Sequence, residues 1–342
     1  PRPFFALAPM ADVTDVVFRD LFARYSRHGE VDGGPDVFWT EFVSCDGLMS
    51  PGREVLARDL EYSDAERPVV AQLFGGDPDK VEQATQFVAS LGFDGIDLNM
   101  GCPDRSVEKQ GAGAALIRDP ARARALIRAA KRGASGLPVS VKTRIGYERE
   151  SIDTWIPELL EEEISALTIH ARTRKEMSLV PARWSEVARV VTLAQSGDTV
   201  VIGNGDVTSL DEGRRLADET GAHGIMVGRG AFGNPWFFDA RRCSEHDRPV
   251  GALVEDVPLT ASCACVSVSE RLAVLAEHAT LFAEKLGDLK SFAIMKKHFG
   301  AYVHGFPGAK KLRMDLMACN DAYAVTAVIN SALDAIDGAR LL

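Results

Sequence analysis

Eight short apolar, β-branched runs punctuate the first two-thirds of the chain, at residues 4–8, 37–39, 69–73, 95–99, 139–143, 166–170, 200–204 and 224–228. Between them apolar residues recur three and four apart, as at Val81, Ala84, Val88 and Leu91 behind a capping Asp79. That spacing marks helices with one buried face. Strand and helix alternate eight times over roughly 240 residues, the rhythm of a (β/α)8 TIM barrel rather than an open doubly wound sheet. Successive runs lie roughly 27 to 43 residues apart, enough for a crossover helix and its loops.

Alternation within the runs assigns their faces, because side chains two apart share one side of a strand. In Ile96-Asp97-Leu98-Asn99 the apolar pair faces the outer helices, so Asp97 and Asn99 point into the barrel. The same parity turns Lys142 with Arg144, Thr168 with His170, Ile202 with Asn204, and Val70 with Gln72 inward. Five runs therefore carry a polar inward residue at their C-terminal end, the end at which barrels of this kind build active sites. A buried polar layer satisfied by its own hydrogen bonds is the plainer explanation for any one of them; five at one end favour a site.

Beyond the eighth run the pattern breaks. Residues 243–268 lack periodicity, contain two prolines and read as a linker or insertion. From Ser269 a 3.6-residue period returns through Glu270, Leu272, Leu275, His278, Leu281, Phe282 and Leu286, with further helical segments to the end. The expected organisation is a barrel over 1–242, a linker over 243–268 and a helical domain over 269–342.

Composition is that of an ordinary soluble globular chain: 46% hydrophobic and 26% charged side chains among 342 residues. No apolar run approaches the ~20 residues that span a bilayer, and no signal-peptide pattern follows Pro1, so a cytoplasmic protein without membrane attachment is expected. Six scattered cysteines without framework spacing fit a reducing compartment. Cys263-Ala264-Cys265 lacks the spacing and second ligand pair of a zinc site, and no metal is expected.

Two glycine turns follow the last two runs, Gly203-Asn204-Gly205-Asp206 and Gly228-Arg229-Gly230. A glycine after a strand is ordinarily a tight turn. On consecutive final strands of a barrel, however, such turns let backbone N–H groups approach a phosphate, and Arg229 adds a charge-assisted fork. Lys142 and His170 project toward a ligand anchored there; the pyrimidine edge of a flavin would give a buried lysine its partner. Pro9 and Met10, at the end of the first run, form a floor beneath a flat ring. Cys102 sits in Asn99-Met100-Gly101-Cys102-Pro103, just past the fourth run. A thiol of ordinary pKa is mostly protonated at neutral pH and can deliver a proton.

Taken together, the stretches APMADVTDVVFR (8–19), VAQLFGGDP (70–78), DGIDLNMGCPDRSVEKQGAGAALIRDP (94–120), VSVKTRIG (139–146), LTIHARTR (167–174), VVIGNGDV (200–207) and GIMVGRGAFGNPW (224–236) resemble the tRNA-dihydrouridine synthase family. MKKHFGAYVHGFPGAKKLR (295–313) resembles that family's helical tRNA-binding domain, and only 243–268 has no counterpart. The resemblance implies an enzyme in which NADPH or NADH reduces FMN and the reduced flavin passes hydride to carbon 6 of a tRNA uridine. Cys102 would protonate carbon 5. It further implies that Pro9, Met10, Gln72, Lys142, His170, Asn204, Gly205, Asp206, Gly228 and Arg229 hold FMN, and that Asn99 and Arg144 contact the uracil edge. One departure stands out: HARTRKEMSLVPARW (170–184) is less polar and poorer in glycine than the matching loop of many relatives.

The formal charge of −10 argues against a nucleic-acid partner until it is resolved by position. Residues 285–313 hold seven Lys or Arg against Asp288 alone, a local +6 that includes Lys296, Lys297, Lys310, Lys311 and Arg313. His298, Phe299, Tyr302, His304 and Phe306 are interleaved, a composition suited to phosphate contacts and base stacking. A second basic run, 118–132, and the acidic run 148–163 read as solvated helix faces. The expected partner is tRNA, with the protein a monomer lacking a stable protein partner. Two other readings use the same residues: a dihydroorotate-dehydrogenase-like FMN enzyme acting on a free pyrimidine, and a catalytically silent tRNA-binding protein. The basic extension weighs against the first, and the intact Cys102, Lys142 and His170 against the second.

Overall fold

The computed structural model describes residues 2–242 and 266–340, the last four by backbone alone. Eight parallel strands close a barrel in chain order: β1 (Phe4–Leu7), β2 (Val37–Ser44), β3 (Val69–Phe74), β4 (Gly95–Met100), β5 (Val139–Arg144), β6 (Ala166–His170), β7 (Val200–Asn204) and β8 (Gly224–Val227), with β8 paired back onto β1. Helices occupy the crossovers: α1 (Val16–Tyr25), α2 (Cys45–Leu48), α3 (Arg53–Ala57), α4 (Pro78–Ser90), α5 (Arg105–Glu108), α6 (Pro120–Gly133), α7 (Ile152–Leu160), α8 (Trp184–Ala194) and α9 (Leu210–Thr220). The TIM-barrel expectation holds. Typical is α4, although its cap is Asp77 rather than Asp79: Asp77 accepts from Asp79 N–H, Pro78 opens the helix, and Val81, Ala84 and Val88 are buried.

Register alternation gives the barrel interior two halves. Ala6, Ala8, Trp39, Ile202 and Met226 form an apolar cluster, flanked by Phe4, Val37, Val70, Ala166 and Val200. Further along the same inward faces come Gln72, Asp97, Asn99, Lys142, Arg144, Thr168, His170 and Asn204, polar as expected. The strand rows thus change from oil to hydrogen bonds toward their C-terminal ends. One strand differs from expectation: β2 continues five residues past Trp39, through a register shift between Trp39 and Phe42, and buries Thr40 and Glu41. Such an irregularity adds an unpaired residue and breaks the period-two signal.

By compactness the described chain divides into two units, the first holding residues up to 16, 35–207 and 212–228, the second 17–34, 208–211 and 229 onward. The second unit contains α10 (Val268–Leu286), α11 (Lys296–Tyr302), α12 (Ala309–Met317) and α13 (Ala322–Arg340). A capping box starts α10: Ser267 Oγ accepts from Glu270 N–H while Glu270 accepts from Ser267 N–H. The helix therefore begins slightly ahead of Ser269. Of the stretch read as a linker, 243–265 lie outside the described residues, and with them Cys243, Cys263 and Cys265. Cys45, Cys102 and Cys319 are free thiols. No described helix is long and apolar enough to cross a membrane. Among the described residues no three or more His, Cys, Asp or Glu side chains gather as a metal site.

The second unit corrects one expectation. Phe299, Tyr302 and His298 are not available to stack on bases, because all three are fully buried. The His298 ring lies 4.5 Å from that of His278, 5.0 Å from Phe232 and 5.7 Å from Phe18. These aromatics form the unit's core.

Candidate active site

A chain of hydrogen bonds runs through the barrel interior from Ser140, near the start of β5, through Asp97 and Gln72 to the C-terminal end of β4. Asp97 accepts from Ser140 Oγ at 2.5 Å on one oxygen and from Gln72 Nε2 at 2.7 Å on the other. Gln72 Oε1 accepts from Asn99 Nδ2 at 3.0 Å. Asn99 Oδ1 accepts from the backbone N–H groups of Gly101 at 3.1 Å and Cys102 at 2.9 Å. An Asn bonded to backbone two and three residues on is a side-chain-mediated turn, which explains how the strand reverses into the Cys102 loop. The Cys102 carbonyl is fixed in turn by Ala114 N–H at 2.9 Å. Gly113 lies beneath it at φ +60°, and a Cβ there would come within 2.7 Å of that carbonyl. Burial raises the pKa of Asp97 to about 6. Cys102 itself is half-buried, and desolvation pushes its thiol pKa up, so it stays protonated at neutral pH.

Across the mouth, Lys142 Nζ donates to Asn204 Oδ1 at 3.1 Å, and Asn204 Nδ2 donates to Met226 O at 2.8 Å. Burial, with Arg144 as a like-charged neighbour, lowers the Lys142 pKa to about 8, while Asp97 opposes that fall. A lysine so placed is ready to gain an acceptor. Arg144 donates from Nε to Gly101 O at 2.8 Å and from Nη1 to Thr173 O and Met177 O. Its Nη2 makes no hydrogen bond to a described residue. On the same inner face, Thr168 Oγ1 is buried without a hydrogen-bond partner.

The β6–α8 loop is held by a second guanidinium. Arg172, almost fully buried, bonds Val180 O at 2.6 Å, the His170 Nε2 at 3.2 Å and the Asp206 carboxylate. Asp206 also accepts from Ala182 N–H at 2.8 Å, so its carboxylate anchors this loop. Gly203 leaves room for the Trp184 ring, which would lie 2.3 Å from a Cβ there. Gly205 has φ +135°, and its Cβ would strike Ala182 at 2.8 Å. At Gly228 a Cβ would press on Met10 Sδ at 3.3 Å and Ala8 at 3.4 Å. The glycines on this side therefore admit close packing by Trp184, Ala182 and Met10. Met10 is half-buried beside Pro9, its N–H bonded to Thr14 Oγ1 at 2.8 Å. Arg229 follows β8 at the start of a single 3₁₀ turn, Arg229–Ala231, and is counted with the second unit.

A family model, Dihydrouridine synthase, matches residues 6–337. The chain belongs to the dihydrouridine synthase family. Among its relatives, a probable tRNA-dihydrouridine synthase of Staphylococcus epidermidis is 39% identical over 93% of this chain and 90% of its own length. A probable tRNA-dihydrouridine synthase 2 of Bacillus subtilis is 37% identical over 96% and 94%. Among solved structures, 6-hydroxypseudooxynicotine amine oxidase from Pseudomonas geniculata N1 is similar over 70% of this chain and 46% of that one, at 12% identity and a TM-score of 0.47.

The expected residues of the first unit gather toward the C-terminal ends of the strands, with one qualification. Asn99 is already engaged on both sides of its amide, by Gln72 and by the Cys102 loop. Sequence reasoning misses Arg174, which bonds Glu108 at 2.5 Å and Pro103 O at 3.2 Å and so ties the β6–α8 loop to the Cys102 loop. It misses Glu41 too, a buried carboxylate that accepts from Asp12 N–H. In the second unit Lys297, Lys310 and Lys311 are exposed and Lys296 is half-buried. Lys311 pairs with Asp315 at 2.6 Å, and Arg313 donates to Val303 O at 2.7 Å, closing the end of α11.

Proposed function

We propose that the protein reduces a uridine of tRNA to 5,6-dihydrouridine, with FMN as cofactor, NADPH or NADH as reductant and Cys102 as proton donor. The observation that carries the reading is Cys102: a half-buried thiol with a raised pKa, its backbone held on both sides, at the C-terminal end of β4. The donor set fits a flavin mononucleotide. Lys142, Gln72 and the unpartnered Thr168 hydroxyl suit the polar edge of the ring, and the glycine turns that follow β7 and β8 suit the phosphate. Pro9, Met10, His170, Asn204, Asp206 and Arg229 complete the set in this reading.

FMN, once bound and reduced, supplies the hydride that adds to carbon 6 of the uracil. Cys102 Sγ–H gives its proton to carbon 5, so hydride and proton saturate one double bond while the nicotinamide is oxidised. Desolvation suits the thiol to this work because it keeps the proton on sulfur until negative charge develops nearby. Arg144, whose Nη2 makes no hydrogen bond to a described residue, offers a charged donor to a uracil carbonyl. The exposed lysines of α11 and α12 contribute phosphate contacts, and a base already outside a helical stack is the least costly to bring to the mouth.

The test is the Cys102→Ala protein, purified with its flavin and supplied with NADPH and tRNA lacking dihydrouridine. Flavin absorbance is expected to persist while dihydrouridine formation, read by nucleoside mass spectrometry, falls about 10²- to 10⁴-fold. Normal turnover would remove Cys102 from the role. A colourless wild-type protein that cannot be reconstituted with FMN would remove the reading altogether.

A further inference from the structure

The hydrogen-bond chain behind Cys102 has a direction. A carboxylate only accepts, so Asp97 must receive a hydroxyl from Ser140 and an N–H from Gln72, as the distances of 2.5 and 2.7 Å show. At the other end the N–H groups of Gly101 and Cys102 only donate, so Asn99 must offer them its carbonyl oxygen. Two amides lie between, each with two orientations. Of the four combinations, one alone satisfies both ends: Gln72 with Nε2 toward Asp97, and Asn99 with Nδ2 toward Gln72. Asp97, Gln72 and Asn99 are all buried, so water is excluded from replacing a missing partner.

We propose that Asp97 is the positioning residue of the Cys102 loop: through Gln72 it fixes the orientation of Asn99, whose carbonyl oxygen holds the backbone that presents the thiol. Asp97 never touches the reacting atoms. Its effect passes across three strands, from β5 and β4 to β3 and back to β4, by hydrogen-bond polarity alone. The functional part of this assignment rests on the Cys102 role above; the structural part does not.

Polarity can be reversed without losing a bond, and that supplies the test. Asn99→Asp leaves Gln72 between two acceptors, so one end of its amide faces oxygen against oxygen. Adding Asp97→Asn restores a donor: Gln72 turns over, gives Nε2 to the carboxylate introduced at position 99, and accepts from the amide introduced at position 97, while the Cys102 and Gly101 N–H groups keep an oxygen. Asp97→Asn alone is tolerated, because an amide can present its oxygen to Gln72 and its nitrogen to Ser140, whose hydroxyl then turns to Ile96 O, 3.4 Å away.

The measurements are the rate of Cys102 alkylation by iodoacetamide, followed on its own peptide by mass spectrometry, and kcat and KM for dihydrouridine formation, both on the FMN-loaded protein. Asn99→Asp is expected to raise alkylation at least about tenfold and to lower kcat by a similar factor, while alkylation of Asp97→Asn and of the double variant should stay within about threefold of wild type. A single variant that fails to fold beside a double that folds is the same rescue. A double no better than Asn99→Asp, an Asn99→Asp protein like wild type, or failure of both to fold overturns the assignment. Wild-type protein that forms no dihydrouridine would refute the activity and leave the alkylation result to decide the role of Asp97.

Discussion

Two stretches of this chain are rich in lysine and arginine, yet Arg124 and Arg128 in one and Lys296 and Lys310 in the other meet different surroundings. Along α6, Arg124 bonds Glu158, Glu161 and Glu162; Arg128 bonds Glu162; and Arg132 bonds Glu82. The acidic run at 148–163 is the other half of that arrangement, so basic and acidic segments cancel within the first unit. In the second unit, Lys296 and Lys310 have no ion pair among the described residues, and Lys311 meets only its own helix neighbour Asp315. Charge density in a sequence therefore does not distinguish a brace from a surface of unpaired lysines. What distinguishes them is whether the opposite charge arrives from another element.

The largest test lies on the inward side of the same basic segment. His278 and His298 are held neutral by burial, His278 with its pKa lowered from 6.5 to about 3 and His298 shifted the same way. The unfolded chain takes up protons below 6.5 while the folded unit does not, so stability is intact above that pH and declines as pH falls below it. At pH 5 the two together cost about 4 kcal/mol, about 2 each. Thermal melts at pH 7.5 and 5 should show this, and His298→Phe should remove about half of it; a pH-independent melt would break the picture of a sealed core beneath a charged surface.

Next in size is the outward side. Lys296→Glu with Lys310→Glu should weaken tRNA binding about 100-fold at low salt and reduce the salt dependence by about two counterions, whereas Arg124→Gln with Arg128→Gln should change it less than about twofold. Anisotropy titrations across a salt series would read both, and equal losses would erase the contrast. Third is the brace. Glu162→Ala should cost about 1–3 kcal/mol in urea unfolding, since two guanidiniums lose a largely buried acceptor. The Arg128 and Arg124 guanidiniums hold the Glu162 carboxyl below its usual value. That contribution is complete above the unfolded carboxylate pKa and disappears as pH drops through the folded one. The smallest effect is that of Lys311→Ala, an exposed pair expected to contribute under about 0.5 kcal/mol.

Much of the barrel was legible because strand parity is a local property. Ile96 and Leu98 against Asp97 and Asn99 declare their two faces without reference to the rest of the fold. The same reasoning ends β2 too early, because Glu41 follows an irregularity that breaks parity and its burial depends on a partner at Asp12. His298, Phe299 and Tyr302 were legible as one helix face but not as an inner one; an aromatic face reads alike whether it meets a base or another helix. Asn99 illustrates a third limit. Its inward direction follows from spacing, yet its attachment to Gln72 and Cys102 depends on strands brought side by side by closure.

Closure also sets an order in time. The first strand, Phe4–Leu7, is completed by β8 at Gly224–Val227, so on the ribosome its edge waits for about 220 further residues, tens of seconds at ordinary translation rates. For that interval the nascent chain presents unpaired strand edges at both ends of a growing sheet. The synthesis of this protein is thus a race between elongation and edge-to-edge association, and slowing elongation ahead of residue 224 should lower the yield of soluble protein without altering a single contact of the finished fold.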